Sequence, residues 1–192
     1  MPINNDNIGV LKAFDSQECI NIFSGKQRLF ISKTMPNIAK EKPNECSYVY
    51  NKPFECCVYA KKPIRKFDKG LCLDNEKLGF VHKCNYEAAE RYKMPVISGM
   101  IIGKFTCSHI SVITLSDEYL DGFSGIEYDI SDEQLELACI TREEVNKLGN
   151  GEILYAWDVS DAKLYTAPYS LSVAGLTAPP HNFTYVNIVK GE

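Results

Sequence analysis

Phe23-Ser24-Gly25-Lys26-Gln27-Arg28-Leu29-Phe30-Ile31-Ser32-Lys33 joins the end of one element to the start of the next, and the architecture is read outward from it. Upstream, Asp15 or Ser16 can cap a short helix whose apolar positions are Cys19, Ile20, Ile22 and Phe23, and Gly25 supplies the left-handed residue that ends it. Downstream, Arg28–Ser32 reads as a strand, in which alternation turns Leu29 and Ile31 toward a core and Arg28, Phe30 and Ser32 to the other face. A guanidinium beside a ring suits stacking on a nucleobase and pairing with its phosphate, with Lys26 and Lys33 on either side. The plainer alternative is a solvated basic turn.

Before this stretch, Ile8–Phe14 reads as a first strand. After it, residues 34–47 carry Pro36 and Pro43 and read as a loop, and Phe54–Ala60 is a compact core strand. Tyr59 and Lys61, at the end of that strand, can complete a cleft. Lys61–Lys69 is equally a solvated basic turn, and residues 71–95 have helical character only at Glu87–Tyr92. Met100–Ile110 is a further strand in which Gly103 is expected to form a bulge or bend. Thr141-x-x-Glu144 is a capping box opening a helix that runs to Gly149. Ile153–Leu164 is a long β stretch around Trp157, and Phe183–Val189 is the last strand. Strand, helix, then mostly strands with one late helix favours an α+β fold, a small β-barrel with short flanking helices, over a doubly wound sheet.

The chain has 192 residues, 45% of them hydrophobic and 24% charged, enough apolar mass for one core and too much for a disordered chain. Its longest apolar stretch, Met94–Phe105, is interrupted by Pro95, Ser98, Gly99, Gly103 and Lys104 and is too short to span a bilayer. Met1–Asn7 lacks the basic and apolar regions of a signal peptide, so a cytoplasmic protein with no membrane partner and reduced thiols is expected. The charge is uneven. Residues 1–104 hold 17 Lys/Arg against 11 Asp/Glu, whereas residues 105–192 hold 4 against 14. A folded chain with that asymmetry can attract an anion locally despite its net charge of −4.

Phosphate-loop, dinucleotide-fold, zinc-protease and nucleophile-elbow signatures are all missing, so residue chemistry alone favours a binder over an enzyme. The eight cysteines form no Cys-x-x-Cys pair, and His82-x-Cys84 and Cys107-x-His109 are weak metal signals. Neither a metal nor a cofactor is expected. Trp157 is either a core anchor or a stacking ring.

Several stretches, in order, resemble the ASCH family within the PUA-like group of folds. Ser24–Arg28, Phe30–Lys33 and Pro36 are similar to its helix end and following strand; Lys52–Tyr59 and Gly103–Cys107 are similar to later strands. Cys139–Thr141 with the helix to Gly149, Tyr155–Tyr165, Pro168, Leu171 and Pro179–Val186 follow the family's ending, in the form found in low-GC Gram-positive bacteria and their phages. The resemblance implies one PUA-like ASCH domain over residues 1–192, with a variable insertion around 66–95, and a cleft that handles RNA, a nucleobase or a nucleoside. Some members resemble amidohydrolases acting on acylated cytidine through a Lys and a Thr with a distant Glu, and others are ribonucleases. Here Gln27, Phe30 and Ser32 stand where that pattern has a catalytic Lys, a Thr or Glu, and an Arg, which removes the general base of the family mechanism.

The expectation is therefore an RNA- or nucleotide-binding protein whose cleft is lined by Lys26, Arg28, Ser32, Lys33, Tyr59, Trp157 and Asp158. Two alternatives stand beside it. One is an amidohydrolase or ribonuclease with a rearranged site. The other is an interaction protein that blocks a host protein through residues 117–136, which hold 8 acids and no Lys or Arg.

Overall fold

Ile8–Phe14 (β1) and Phe54–Ala60 (β5) are seven-residue runs buried at nearly every position, and they lie side by side in parallel, Val10 opposite Cys56 and Phe14 opposite Ala60. Runs apolar on both faces need cover on both faces, as interior strands do. In the computed structural model, which describes residues 8–39, 41–44, 47–49, 52–64, 69–73, 81–91, 94–116 and 127–188, they sit inside a five-stranded sheet. Its order is β11 (Ser160–Tyr169), β8 (Ile101–Cys107), β5, β1 and β12 (Phe183–Asn187), with β12 antiparallel to β1. The chain divides into two compact units: the first comprises Met1–Gly25, Phe54–Thr106 and Asp161–Glu192, the second Lys26–Pro53 and Cys107–Ser160.

In the first unit α1 (Ser16–Phe23) starts at Asp15, whose carboxylate accepts from the amides of Gln17 and Glu18 while Glu18 reaches back to the Asp15 amide. It ends at Gly25, φ 74°, as the sequence predicts. Gly103 lies within β8, where a Cβ would strike the Lys163 carbonyl and the Phe23 ring, so the glycine serves close approach. Within 66–95 the described residues form an antiparallel hairpin, β6 (Lys69–Leu73) with β7 (Val81–Asn85), and α2 (Tyr86–Arg91). Residues 65–68, 74–80 and 92–93 of that region lie outside the described set.

The second unit is a three-stranded antiparallel sheet, β2 (Leu29–Ser32), β10 (Leu154–Asp158) and β9 (Ile110–Ile113), with two capped helices. Of these, α4 (Arg142–Gly149) is the helix announced by Thr141 and Glu144; α3 (Asp132–Ala138), capped by Ser131 and Gln134, was not expected. Leu29, Ile31, Ile113, Tyr128, Leu135, Val145 and Leu154 form its core. The loop expected over 34–47 contains a 3-10 turn, Asn37–Ala39, and a short strand, β3 (Glu41–Asn44), paired with β4 (Ser47–Val49).

Ile153–Leu164 is two strands rather than one, β10 ending at Asp158 and β11 beginning at Ser160. The fold is α+β as expected, but among the described residues the sheets are open and none closes into a barrel. Among the described residues no helix is long and apolar enough to cross a membrane. Met1–Asn7 and, of the acidic 117–136 stretch, positions 117–126 lie outside the described set.

Candidate functional site

The sequence-derived residues of the second unit converge on the β2–β10 pair. Trp157 sits opposite Phe30, and Asp158 opposite Leu29. Burial, however, covers both faces of β2, with α3 packed against it. Phe30 is only 7% exposed and meets the wholly enclosed Trp157 edge to face, ring centroids 5.9 Å apart, so the two rings are spent on each other. Ser32 is also buried and accepts from the Thr34 amide at 3.2 Å. The open ring-and-guanidinium face expected from alternation is thus an interior face at Phe30 and Ser32, while Arg28, just before the strand, is exposed.

Arg28 is held through its backbone, its amide donating to Leu137 O and its carbonyl accepting from Val159 N, both at 2.9 Å. Lys26 is exposed, Lys33 forms an ion pair with Glu152 at 3.1 Å, and Asp158 accepts from Ser108 Oγ at 3.3 Å. Tyr59 belongs to the first unit. Cys107 donates its thiol to the His109 carbonyl at 3.3 Å, and among the described residues no group of three or more His, Cys, Asp or Glu side chains is placed to hold a metal.

Within the first unit a groove of about 710 Å³ lies around the end of β5. Tyr59, Leu171 and Leu176 form its floor, where they pack on the core cluster of Leu11, Cys57, Ile101 and Val186. One wall is the Lys61–Lys62 turn. It is fixed by the Lys61 amide donating to Phe14 O at 2.9 Å and by the Gly99 amide donating to Ala60 O at 2.6 Å. Gly99, φ 87°, lies under Lys62; a Cβ there would collide with the lysine stem, so a glycine is required for both reasons.

The opposite wall is the 3-10 turn Leu171–Ala174, closed by Gly175, φ 76°, and by the Leu176 amide donating to Leu171 O at 2.9 Å. Ser170, Ser172 and Thr177 bring hydroxyls to the groove, the two serine oxygens 2.7 Å apart. The result is an apolar floor, two exposed ammonium groups and a row of hydroxyls. Among the described lining residues there is no carboxylate, imidazole or thiol to act as a base.

The titratable groups beneath the floor are held neutral. Burial pushes the Cys57 thiol up, although Tyr165 OH lies 3.7 Å from its sulfur, and burial pushes Tyr169 up to about 12. Burial likewise lifts Tyr59 above its ordinary range. A thiol or phenol shifted upward in this way is a poor nucleophile. Of the residues lining this groove, the sequence reading named Tyr59 and Lys61, as completing a cleft with the second-unit residues, and named neither Lys62 nor the Ser170–Thr177 wall. The dipeptide Lys61-Lys62 before Pro63 carried the signal; nothing local in Ser170–Thr177 shows that it folds against β5.

No protein-family model matches the chain, and no curated protein matches it. Among solved structures the chain is similar to an ASCH protein from Zymomonas mobilis, with a TM-score of 0.50 and 13% identity over 95% of this chain and 88% of that one. Crystal structures of two point variants of that protein give a TM-score of 0.51 at 13% identity, covering 95% of this chain and 89% and 91% of theirs. The likeness is one of fold: the chain has an ASCH-type α+β architecture.

Proposed function

We propose that the chain is an ASCH-type domain of the low-GC Gram-positive and phage kind, acting in the cytoplasm by binding RNA or a nucleotide-like ligand in the groove of the first unit. The observation that carries this reading is the meeting of Lys61 and Lys62 with an apolar floor and three hydroxyls in one concavity of about 710 Å³. Ammonium groups satisfy phosphate, hydroxyls satisfy sugar and base edges, and Tyr59, Leu171 and Leu176 receive the flat apolar faces of a base. The volume lies within the range of small-ligand sites, roughly 300–1,000 Å³. Without a described base in the lining, the site holds a ligand rather than hydrolysing it. Lys26 and Arg28, exposed in the second unit, are proposed as phosphate contacts of that unit by itself.

Equilibrium titration of the full chain with uridine monophosphate and with labelled single-stranded RNA tests the proposal. Lys61→Glu/Lys62→Glu is expected to weaken RNA binding about tenfold or more and to flatten its salt dependence by about 1.4 in log–log slope, at roughly 0.7 per phosphate contact on a single strand. Arg28→Ala, measured in parallel, reads the second-unit contribution. Unchanged affinity of the double variant, or binding indifferent to salt, would overturn the reading.

A further inference from the structure

A second depression of about 400 Å³ lies on the other side of the same turn, and it shares Lys61 and Lys62 with the groove. Its character differs. Lys69 and Lys83 join the two shared lysines, so four lysines line one hollow, beside Pro63 and Ile64 and with no aromatic ring among its described lining. The hairpin explains why both new lysines point there. Lys69 pairs with Asn85 and Leu71 with Lys83, so Lys69 and Lys83 are diagonal neighbours on one face of β6–β7. Ser16 Oγ donates to the Lys69 carbonyl at 3.4 Å, tying that hairpin to the start of α1.

Like charges lining one hollow repel, and four lysines against the nearby carboxylates of Asp15 and Glu18 leave a net positive charge that an anion can balance. The carboxylate at the rim is Asp15, which accepts from the amides of Gln17 and Glu18 at 2.8 and 2.9 Å and forms no ion pair with the four lysines. Among the described residues no ion pair engages Lys61, Lys62, Lys69 or Lys83.

Resting on the nucleotide-binding reading above, we propose that the ligand is a single-stranded oligonucleotide rather than a mononucleotide. One nucleotide occupies the groove, and the phosphates of the adjoining nucleotides cross the Lys61–Lys62 turn into the hollow between Lys69 and Lys83. The groove offers an apolar floor for a base; the hollow, although Pro63 and Ile64 lie at its edge, offers four lysines, as a phosphodiester backbone requires. Lys61 and Lys62 serve both, which sets the register of the strand.

The test uses the full chain and four probes: uridine monophosphate and oligouridylates of two, four and eight nucleotides. Affinity is expected to rise from the monophosphate to the tetranucleotide, with a salt slope steeper by about 1.4 as two more phosphates are neutralised. In Lys69→Gln/Lys83→Gln, substitutions at exposed positions, that gain is expected to vanish while monophosphate affinity stays as in the parent. Circular dichroism confirms that the variant is folded. Monophosphate binding with no gain on lengthening, or a length gain undiminished in the variant, overturns the oligonucleotide proposal and leaves the nucleotide reading standing. Failure of every probe to bind overturns both.

Discussion

Lys12 stands in the interior strand β1, opposite Val58 and Phe183, and donates from Nζ to the Asn182 carbonyl at 3.1 Å. Burial is the main reason its pKa falls below the ordinary 10.5, with Lys61 adding repulsion and Cys56 and Glu18 opposing the shift. A base with a depressed folded value binds fewer protons folded than unfolded between that value and 10.5. Its contribution to stability therefore grows as pH rises across that window and is lost as pH falls through the folded value. The buried thiols act oppositely: Cys107, raised to about 12 by burial, helps the fold below its unfolded value and loses that help as pH rises. Urea titrations of the parent and Lys12→Met from pH 7.5 to 10.5 separate the two. The stability difference, parent minus variant, is expected to increase with pH, and a flat difference would show that Lys12 carries no such linkage. At this scale the sequence was informative about type and silent about depth. A lysine among Val10, Leu11 and Phe14 announces a strand interior, but only assembly of the sheet shows its ammonium group to be enclosed. Trp157 and Phe30 teach the same lesson: their residue types suit stacking on a ligand as well as on one another, and burial decides for the latter.

Among the elements, α4 was legible because its signal is local. The Thr141 amide and hydroxyl donate to the Glu144 carboxylate at 2.9 and 3.0 Å, and the Glu144 amide donates back to Thr141 Oγ1 at 3.2 Å. Those hydrogen bonds, the backbone one foremost, hold the Glu144 carboxyl below its ordinary 4.5. Thr141→Ala is expected to cost about 1 kcal/mol near neutral pH, as lost N-caps do. Because a depressed carboxyl contributes stability above its unfolded value and loses it as pH falls through the folded one, that cost shrinks under acid. Thermal melts of parent and variant at pH 7 and pH 3 measure it, and equal penalties at both would contradict the reciprocal cap. Ser131 and Gln134 carry the same box for α3, yet that helix was obscured by the run of acids before it. Its end at Cys139 is in the left-handed region, φ 53°, where glycine is the usual signal. The barrel expectation failed at this scale too. Val159 divides Ile153–Leu164 into β10 in the second unit and β11 at the edge of the first-unit sheet, a partition that alternation within one stretch does not reveal.

At the scale of the whole molecule, the connectivity has its own energetic consequence. Neither unit is a continuous segment: the chain leaves the first unit for residues 26–53 and again for 107–160, excursions of about 28 and about 54 residues. If the first unit folded alone, each excursion would be a closed flexible loop costing on the order of 3 kcal/mol in closure entropy, from (3/2)RT ln n. Formation of the second unit removes freedom that has then already been lost. Two such closures amount to about 6 kcal/mol of coupling, comparable with the entire stability of many domains at roughly 5–15 kcal/mol. We therefore propose that residues 1–192 unfold as one cooperative domain despite the two units, and the molecule carries separate reporters for each. Trp157, the sole tryptophan, lies buried in the second unit, whereas Cys19, Cys56, Cys57 and Cys72 are buried in the first. Trp157 fluorescence and thiol labelling at those four cysteines, resolved by peptide mass spectrometry, are expected to give coincident urea midpoints. Midpoints that separate, with Trp157 released while the four thiols stay protected or the reverse, would make the units independent domains and show that loop closure does not bind their folding together.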